Sequence, residues 1–374
     1  MLALLVLLVG ATGALVPRVA RAESCDAAVE PGDSVQAAIV AAAPGDTICV
    51  EEGTYAGAVV DKEVHLRARG DVVINDGPYS HAGIYKAGFL FDNYGDNAGS
   101  GSSITGFNFQ GAAQHPYGAP DDGKLDFAVF SRRADSVTIK NNTMTMFLQA
   151  VTNWNGSGWR IKGNEVHDLW TYCGGGIGII TGGFDGATVA DNVISNNEVT
   201  GTLHVPDNDC GGAGGLYDGS GIVLYADFRF GSPGPSAVIN NKINDNDVSI
   251  TSNNPDIVNV NGIELTETDD NPLTPPLFVV HNNKIVDNDA EDLGRWGIGI
   301  TGAADNLIAD NEVNGSGEFD CYDDTTGAGT SGTANTWNDN DGDTSSPPGL
   351  CGDDDDGDEG DEDDDDEEDD EDDD

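Results

Sequence analysis

The residues SVTIKNNTM at 136–144 and NLIADNEV at 306–313 share the pattern that decides the fold. In both, a few β-branched or aliphatic residues lie close to an Asn, and another aliphatic residue follows it. Four further copies lie between them: GWRIKGNEV (158–166), ATVADNVISNNEV (187–199), AVINNKI (237–243) and FVVHNNKI (278–285). A unit that returns every 22 to roughly 45 residues, with its length varying only between copies, predicts a solenoid with insertions.

A second pattern, here called GIxI, alternates with the Asn pattern. Its copies are FAVFSRR (127–133), LQAVTNW (148–154), GIGIITG (176–182), GIVLYAD (221–227), GIELTET (262–268) and GIGITG (297–302). Such strands are too short to be stable alone, so we expect each to pair with its counterpart one turn further on, about 4.8 Å away, in parallel sheets. An Asn at the same corner of every turn is expected to pass hydrogen bonds along the stack as a ladder.

Together these patterns resemble the right-handed parallel β-helix family, the pectate-lyase-like superfamily that includes pectate lyases and polygalacturonases. The resemblance covers roughly residues 31–351 and implies an all-β fold, a single-stranded right-handed parallel β-helix. It implies no particular reaction, because the N-T-D strand and the G-H-G of the polygalacturonase signatures are absent from this sequence.

The chain is expected to divide into four segments. They are a signal peptide (1–22), the β-helix with its N-terminal cap (23–316), a C-terminal closing segment (317–351) and a disordered Asp/Glu tail (352–374). The leader is predicted from an apolar stretch followed by Ala20-Arg21-Ala22, which fits a small-residue cleavage site. A membrane anchor is the alternative, but the apolar run is short and ends at Pro17. We therefore expect a secreted or periplasmic protein without a membrane span.

Residues 34–43 predict a capping helix over the first turn of the solenoid. Val35, Ala38, Ile39 and Ala42 fall on one helical face, and Asp33 with Gln36 matches a capping box. Covering the end of a stack matters because bare strand edges invite pairing with other chains.

The six Cys residues suit an exported protein, in which disulfides form. Six cysteines allow fifteen pairings, and the organisation of the chain favours local ones. The expected disulfides are Cys25 with Cys49, Cys173 with Cys210, and Cys321 with Cys351. A metal site formed by these residues is disfavoured because no C-x-x-C occurs.

The chain is strongly acidic, with 67 Asp and Glu against 16 Lys and Arg. The segment 353–374 holds 20 of these acids and too little else to pack, so it is expected to be disordered. The rest of the chain is acidic in its own right, which makes nucleic acid an unsuitable partner. Divalent cations suit such a surface, and Ca²⁺ is the expected one outside the cell. The alternative is that the acid only keeps the protein soluble.

The candidate site is the outward face of the GIxI strands, because insertions in a solenoid collect on one side. The candidate catalytic residues are Asp227, Glu264, Glu267 and Arg295, and the candidate ligand-binding residues are Arg132, Trp154, Tyr225, Trp296 and His204. Carboxylates beside arginines and aromatic rings suit sugar recognition, and two carboxylates can act as acid and base in a glycosidase. Alternatively, Ca²⁺ with an Arg base would suit β-elimination from an acidic polysaccharide.

Two functions remain open from the sequence. The first is a monomeric secreted scaffold that binds extracellular or cell-surface polysaccharide in association with calcium. The second is a polysaccharide lyase or glycoside hydrolase that uses the groove on the GIxI side. The scaffold is favoured, because every feature that can be interpreted firmly builds or caps the solenoid, and a shared fold does not by itself support catalysis.

Overall fold

The computed structural model describes residues 24–80, 85–92, 98–112, 124–171, 175–205, 219–227, 236–254, 259–267 and 279–352. The predicted leader, the acidic tail from residue 353 onward, and Cys173 and Cys210 lie outside these ranges. The described part is a right-handed parallel β-helix, as the repeated patterns predict. Within the described ranges, no helix is long and apolar enough to cross a membrane.

Three long sheets run along the solenoid, and each turn adds one strand to each. Sheet I, built from the GIxI pattern, consists of β3 (Ala58–Val59), β5 (Ala87–Asp92), β8 (Phe127–Arg132), β11 (Gln149–Trp154), β14 (Ile177–Gly183), β18 (Gly219–Ala226), β22 (Val260–Glu267), β26 (Trp296–Thr301), β29 (Phe319–Asp323) and β31 (Ser345–Ser346). Its strands pair in parallel register, for example Ile222 with Ile179 and Ile263. These ten strands correspond to ten turns of the solenoid within the described residues.

The Asn pattern forms the other two long sheets on either side of a corner. Sheet II consists of β6 (Ser103–Thr105), β9 (Thr138–Lys140), β12 (Arg160–Lys162), β16 (Val193–Ser195), β20 (Lys242–Asn244), β24 (Lys284–Val286), β27 (Leu307–Ala309) and β30 (Thr336–Asn338). Sheet III consists of β7 (Asn108–Gln110), β10 (Thr143–Phe147), β13 (Glu165–Trp170), β17 (Glu198–His204), β21 (Asp247–Ser252), β25 (Asp289–Glu291) and β28 (Glu312–Asn314).

Shorter elements complete the described part. Strands β1 (Ala27–Val29), β2 (Thr47–Ala56) and β4 (His65–Asp76) join sheets II and III at the N-terminal end, and β15 (Thr188–Ala190), β19 (Ala237–Ile239) and β23 (Val280–His281) form a short sheet. The helical elements are α1 (Val35–Ala41) and a 3₁₀ turn (Thr330–Gly332). Strands β29, β30 and β31 continue sheets I and II into the predicted closing segment.

The predicted capping helix is present, but its N-terminus differs from the expectation. The N-cap is Ser34, whose Oγ accepts a hydrogen bond from the backbone N–H of Ala37 at 3.2 Å. Asp33 instead accepts from the backbone of Glu30, so the predicted capping box is wrong. The side chain of Gln36 forms two hydrogen bonds with the backbone of Val59, which holds the helix against the first turn.

The interior confirms the predicted alternation with one exception. Alternation along the GIxI strands predicts eight inward aliphatic side chains, and seven of them are fully buried: Ile179, Ile222, Leu224, Ile263, Leu265, Ile298 and Ile300. Ile177 is the exception, because its neighbours in register are the polar residues Gln149 and Ser220 on the outward side. The strand bends here, since a Cβ built on Gly178 would lie only 2.5 Å from Val199 in the interior.

The expected Asn ladder exists, and the structure contains two. The first links Asn142, Asn164, Asn197, Asn246, Asn288, Asn311 and Asn340 by Nδ2-to-Oδ1 hydrogen bonds of 2.8–2.9 Å. The second links Asn192, Asn241, Asn283, Asn306 and Asn335 at 2.8–3.0 Å. Both ladders are buried at two successive corners of the turn. Their side chains therefore provide hydrogen-bond partners for backbone groups that water cannot reach there.

Two of the three expected disulfides lie within the described residues and are confirmed. Cys25 is bonded to Cys49 near the N-terminal cap, and Cys321 is bonded to Cys351 at the C-terminal end. The pairing of Cys173 with Cys210 stays a prediction.

Candidate functional site

Sheet I arranges its outward side chains in columns that run along the solenoid axis. In one column, Arg132, Trp154, Gly182, Tyr225, Thr266 and Thr301 are neighbours in register. Consecutive members lie on adjacent strands, which are about 4.8 Å apart. All of them except Gly182 are partly exposed. We call this column, together with Phe184, the aromatic stripe.

The rings of the stripe are held in place by one another. The Trp154 ring lies 5.7 Å from Phe184 and 5.9 Å from Tyr225, in edge-to-face contacts at 71° and 65°. Gly182 makes this possible, because a Cβ there would lie 2.5 Å from the Trp154 ring. Trp154 also packs on a buried apolar cluster of the same face that contains Phe130. The rings therefore form a fixed surface rather than independent side chains.

Arg132 begins the stripe and Thr301 ends it. The guanidinium of Arg132 lies 5.6 Å from the ring of Phe130 and 5.8 Å from that of Phe184, within cation–π range. At the other end, the hydroxyls of Thr266 and Thr301 share a hydrogen bond of 2.6 Å. The stripe thus carries a cation, three rings and two hydroxyls in sequence.

Glu264 lies in the neighbouring outward column, beside Val223 on one strand and Gly299 on the next. Its Oε2 accepts hydrogen bonds from Ser220 Oγ at 2.8 Å and from Asn261 Nδ2 at 3.2 Å. Burial raises the pKa of Glu264, whereas these two hydrogen bonds and the charge of Arg295 act to lower it. Burial dominates, so this carboxyl holds its proton more tightly than an exposed Glu.

Arg295 belongs to a stack that the sequence did not predict in full. Its guanidinium lies 3.6 Å from the ring centroid of Trp296, which stacks on Tyr322 at 4.1 Å with an 8° angle between the ring planes. Two groups so close must occupy opposite faces of Trp296. Arg295 Nε also donates to Glu318 Oε2 at 3.0 Å. Trp296 is only 3% exposed, so it supports Arg295 and offers little surface to a ligand.

The structure brings some of the candidate residues together and separates others. Glu264, Arg295 and Trp296 lie close to one another, and Arg132, Trp154 and Tyr225 share the stripe. Glu267 lies beside Ala226 in register and against Gly302 of the next turn, while Asp227 is buried after β18. His204 ends β17 in sheet III, where its register neighbour is Trp170. It is therefore not part of the sheet I face.

Four contributors were absent from the sequence-based prediction: Phe184, Ser220, Asn261 and Tyr322. Phe184 lies in a turn, so neither strand alternation nor a motif marks it. Tyr322 occupies an outward position that alternation indicates. Ser220 and Asn261 have the parity of the inward residues Ile222 and Ile263, so alternation alone would have predicted that they face inward.

A second feature of the surface is a column of carboxylates on sheet III, here called the acidic ladder. Its members are neighbours in register: Glu165, Glu198, Asp247, Asp289, Glu312 and Asp341. A cavity of about 610 Å³ lies along it and is also lined by the corner residues Asp245, Asp287 and Asp310. Burial, together with the charges of Glu291, Asp247 and Glu312, raises the pKa of Asp289 to about 6. Burial and Glu198 also raise the pKa of Asp247.

Among the described residues, no group of three or more His, Cys, Asp or Glu side chains is arranged to hold a metal ion. The acidic ladder is a row of single carboxylates along adjacent strands, which differs from the converging oxygen ligands of a built calcium site. Any cation at this surface would act mainly by neutralising charge.

Comparison with known proteins found no matching family model and no matching curated protein. Three solved structures align over most of the chain, each with 13% identity. An alginate lyase from Paenibacillus sp. aligns with 87% of this chain and 97% of its own, with a TM-score of 0.32. An α-1,3-glucanase catalytic unit from Streptomyces thermodiastaticus aligns over 80% and 58%, with a TM-score of 0.33. The surface protein and adhesin PfbA of Streptococcus pneumoniae aligns over 84% and 92%, with a TM-score of 0.36. Likeness at this level assigns no activity, and the register of the sheets establishes the fold.

Proposed function

We propose that this protein is a secreted β-helix scaffold that binds extracellular or cell-surface polysaccharide along the aromatic stripe. One observation carries the proposal: Trp154, Phe184 and Tyr225 form a fixed and partly exposed aromatic surface on one side of the solenoid. A rigid aromatic surface suits the apolar faces of sugar rings, because it covers them without losing conformational freedom.

The direction of the stripe supports a polymeric ligand. Its members lie on successive turns, so a chain of sugars along the solenoid axis would meet Trp154, Tyr225 and the two Thr hydroxyls in order. Thr266 and Thr301 extend the surface with hydroxyl groups that can bond to sugar hydroxyls. Each ring that a sugar covers would contribute about 1–2 kcal/mol, if roughly 50 Å² of apolar surface is removed from water.

Export and calcium form part of the same proposal. Two disulfides within the described residues fit an oxidising compartment, in which such bonds persist. Calcium would associate with the acidic ladder as a loosely held counter-ion, because carboxylates that stand in a row attract cations without enclosing them.

A glycan array probed with the mature protein, with and without calcium, tests the binding function. We expect Trp154→Ala and Tyr225→Ala each to weaken binding at least about fivefold, from the loss of roughly 1 kcal/mol or more per ring. Tyr79→Ala is the matched control, because Tyr79 is an exposed aromatic residue outside the stripe. Circular dichroism and thermal melting would establish that all three variants keep the fold. Equal binding by the wild type and both stripe variants would contradict the proposal.

Glu264 supports a second candidate, a polysaccharide lyase or glycoside hydrolase. A carboxyl with a raised pKa close to an arginine is a feature of acid–base catalysis. Asp227 or Glu267 would supply the second carboxylate. Product analysis on every bound polymer distinguishes the candidates: unsaturated sugars would indicate a lyase, and new reducing ends alone a hydrolase. In an enzyme, Glu264→Gln should abolish turnover and leave binding intact, whereas a scaffold forms no product with either protein.

A further inference from the structure

The charged groups around the aromatic stripe are already engaged within the protein. Arg133, directly after β8, forms an ion pair with Asp185 at 2.9 Å. Arg132 lies over two aromatic rings and has a further contact within the chain. Asp227, Glu267 and Asp324 also have partners, and Asp324 accepts a hydrogen bond from the Gly302 N–H at the far end of the stripe. A charged ligand would have to displace one of these contacts to find its counter-charge.

The arginine in the neighbouring stack is engaged in the same way. Arg295 Nε is 3.0 Å from Glu318 Oε2, and the Glu264 carboxyl provides a second acidic group close to it. The guanidinium also lies on the face of Trp296. Arginine binds carboxylates most strongly through a free planar fork of donors, and here a carboxylate of the protein already uses part of that fork.

The field of the whole molecule opposes an anionic ligand. The chain carries a formal net charge of −51, and the acidic ladder places Glu198, Asp247 and Asp289 on adjacent strands of one sheet. At physiological ionic strength each charge acts over roughly 8 Å, so a polyanion that approaches this acidic surface is repelled by the carboxylates near its path. Repulsion of this kind slows encounter and weakens binding, and salt relieves it.

Apart from Arg132, the partly exposed groups of the stripe are uncharged. They are the partly exposed rings of Trp154, Phe184 and Tyr225 and the hydroxyls of Thr266 and Thr301. Rings and hydroxyls recognise a sugar by its apolar face and its hydroxyl groups, and neither feature requires a charge on the ligand.

We propose that the polysaccharide bound by the stripe is an uncharged polymer, without carboxylate, sulfate or amine groups. This inference rests on the proposed binding function and names the substrate class of that same site. It also bears on the second candidate function: β-elimination requires a uronic acid, so an enzyme with this specificity would be a hydrolase.

The test compares three soluble polymers of similar length: an uncharged glucan, a polyuronate and an amine-bearing glucosamine polymer. The mature protein is titrated with each by isothermal calorimetry at about 50 and about 500 mM NaCl, which changes electrostatic screening strongly. We expect the uncharged glucan to bind most tightly at the higher salt concentration, at which the attraction of the amine polymer to the acidic chain is screened. Its affinity should change by less than about twofold between the two salt concentrations, because uncharged contacts are not screened. Trp154→Ala should weaken this binding at least about fivefold, whereas Tyr79→Ala should not.

The outcomes separate the inference from the proposed function. If a polyuronate or amine polymer binds more tightly than the glucan, and Trp154→Ala abolishes that binding, the stripe is a glycan site and the inference of an uncharged ligand is overturned. If the wild type binds none of the three polymers, or if Trp154→Ala changes no affinity, the proposed function fails and the inference fails with it. Tight and salt-independent binding of the glucan that depends on Trp154 supports both.

Discussion

Replacing Asp289 by Asn should stabilise the protein at pH 8 and have no effect below about pH 4. Asp289 lies in the middle of the acidic ladder, between Asp247 and Glu312 on the adjacent strands and near Glu291 on its own strand. Its Oδ1 is buried and accepts no hydrogen bond. Burial and the three neighbouring carboxylates raise the pKa of Asp289 from 3.8 to about 6. The folded state therefore binds a proton more tightly than the unfolded chain does.

The pH dependence follows from this difference in proton binding. Below the unfolded pKa of about 3.9, Asp289 is protonated in both states and the repulsion is absent. As the pH rises through about 6, Asp289 loses its proton in the folded state. Its charge is then repelled by the neighbouring carboxylates, and this repulsion lowers the free energy of unfolding. A shift of about two pKa units corresponds to about 3 kcal/mol, and partial exposure and salt lower this to roughly 1–2 kcal/mol. Asn removes the charge, so the variant should regain this amount at high pH.

Thermal melting of both proteins between pH 4 and pH 8 provides the measurement. At pH 8 we expect Asp289→Asn to raise the melting temperature by roughly 2–6 °C, and the gain should shrink toward zero as the pH falls to about 4. Adding about 1 M NaCl at pH 8 should reduce the gain by screening the repulsion. Asp61→Asn is the control, because Asp61 is an exposed acidic residue outside the ladder. A gain that is constant with pH, or equal in both variants, would refute the electrostatic reasoning.

Three further predictions concern the solenoid, and chemical denaturation measures each. Asn246→Ala should destabilise the fold by about 3 kcal/mol or more, because it removes the buried hydrogen bonds of the Asn246 side chain with Asn197, Asn288 and the Ile194 carbonyl. Exposed Asn338→Ala should cost under about 0.5 kcal/mol, and equal losses would count against the ladder. Gly221→Ala places a Cβ 2.3 Å from Val248 Cγ1 and should cost at least about 1–3 kcal/mol, whereas Gly352→Ala, with open space around it, should be neutral. Replacing both Cys321 and Cys351 by Ser should cost about 3 kcal/mol, as expected for a loop of about 30 residues, and no loss would show that the disulfide constrains little.

The fold could be predicted from the sequence because the same residue pattern is repeated at the same position of successive turns. Asn at the corners, aliphatic residues two apart and often a Gly before the first of them recur from turn to turn, so one physical explanation serves these copies. The errors fall where a turn departs from simple alternation. Ile177 points outward because Gly178 takes the interior position beside Val199. Ser34 is the N-cap in place of Asp33, because it directly precedes the first helical residue, Val35.

The candidate site was only partly predictable, for a different reason. Outward positions could be deduced strand by strand, and Arg132, Trp154 and Tyr225 were found in this way. Which of them touch depends on how the loops between strands set the register, and the sequence does not show that directly. Trp154 and Tyr225 are far apart in sequence, yet their rings lie 5.9 Å apart because Gly182 between them has no side chain. Trp296 was predicted to bind a ligand through its aromatic ring, but this ring lies buried between Arg295 and Tyr322.

The solenoid separates the residues that build it from those that can bind a ligand. Inward columns and both Asn ladders repeat nearly the same residue in every turn, because every turn meets the same packing and hydrogen-bonding needs. The aromatic stripe changes from arginine to rings to hydroxyls along its length. The packing of one turn on the next therefore does not determine which residues it contains. A polymer that lies on this column would gain a modest amount of free energy from each turn. Affinity would then depend on how many consecutive turns it covers, and loss of one ring would weaken binding without abolishing it.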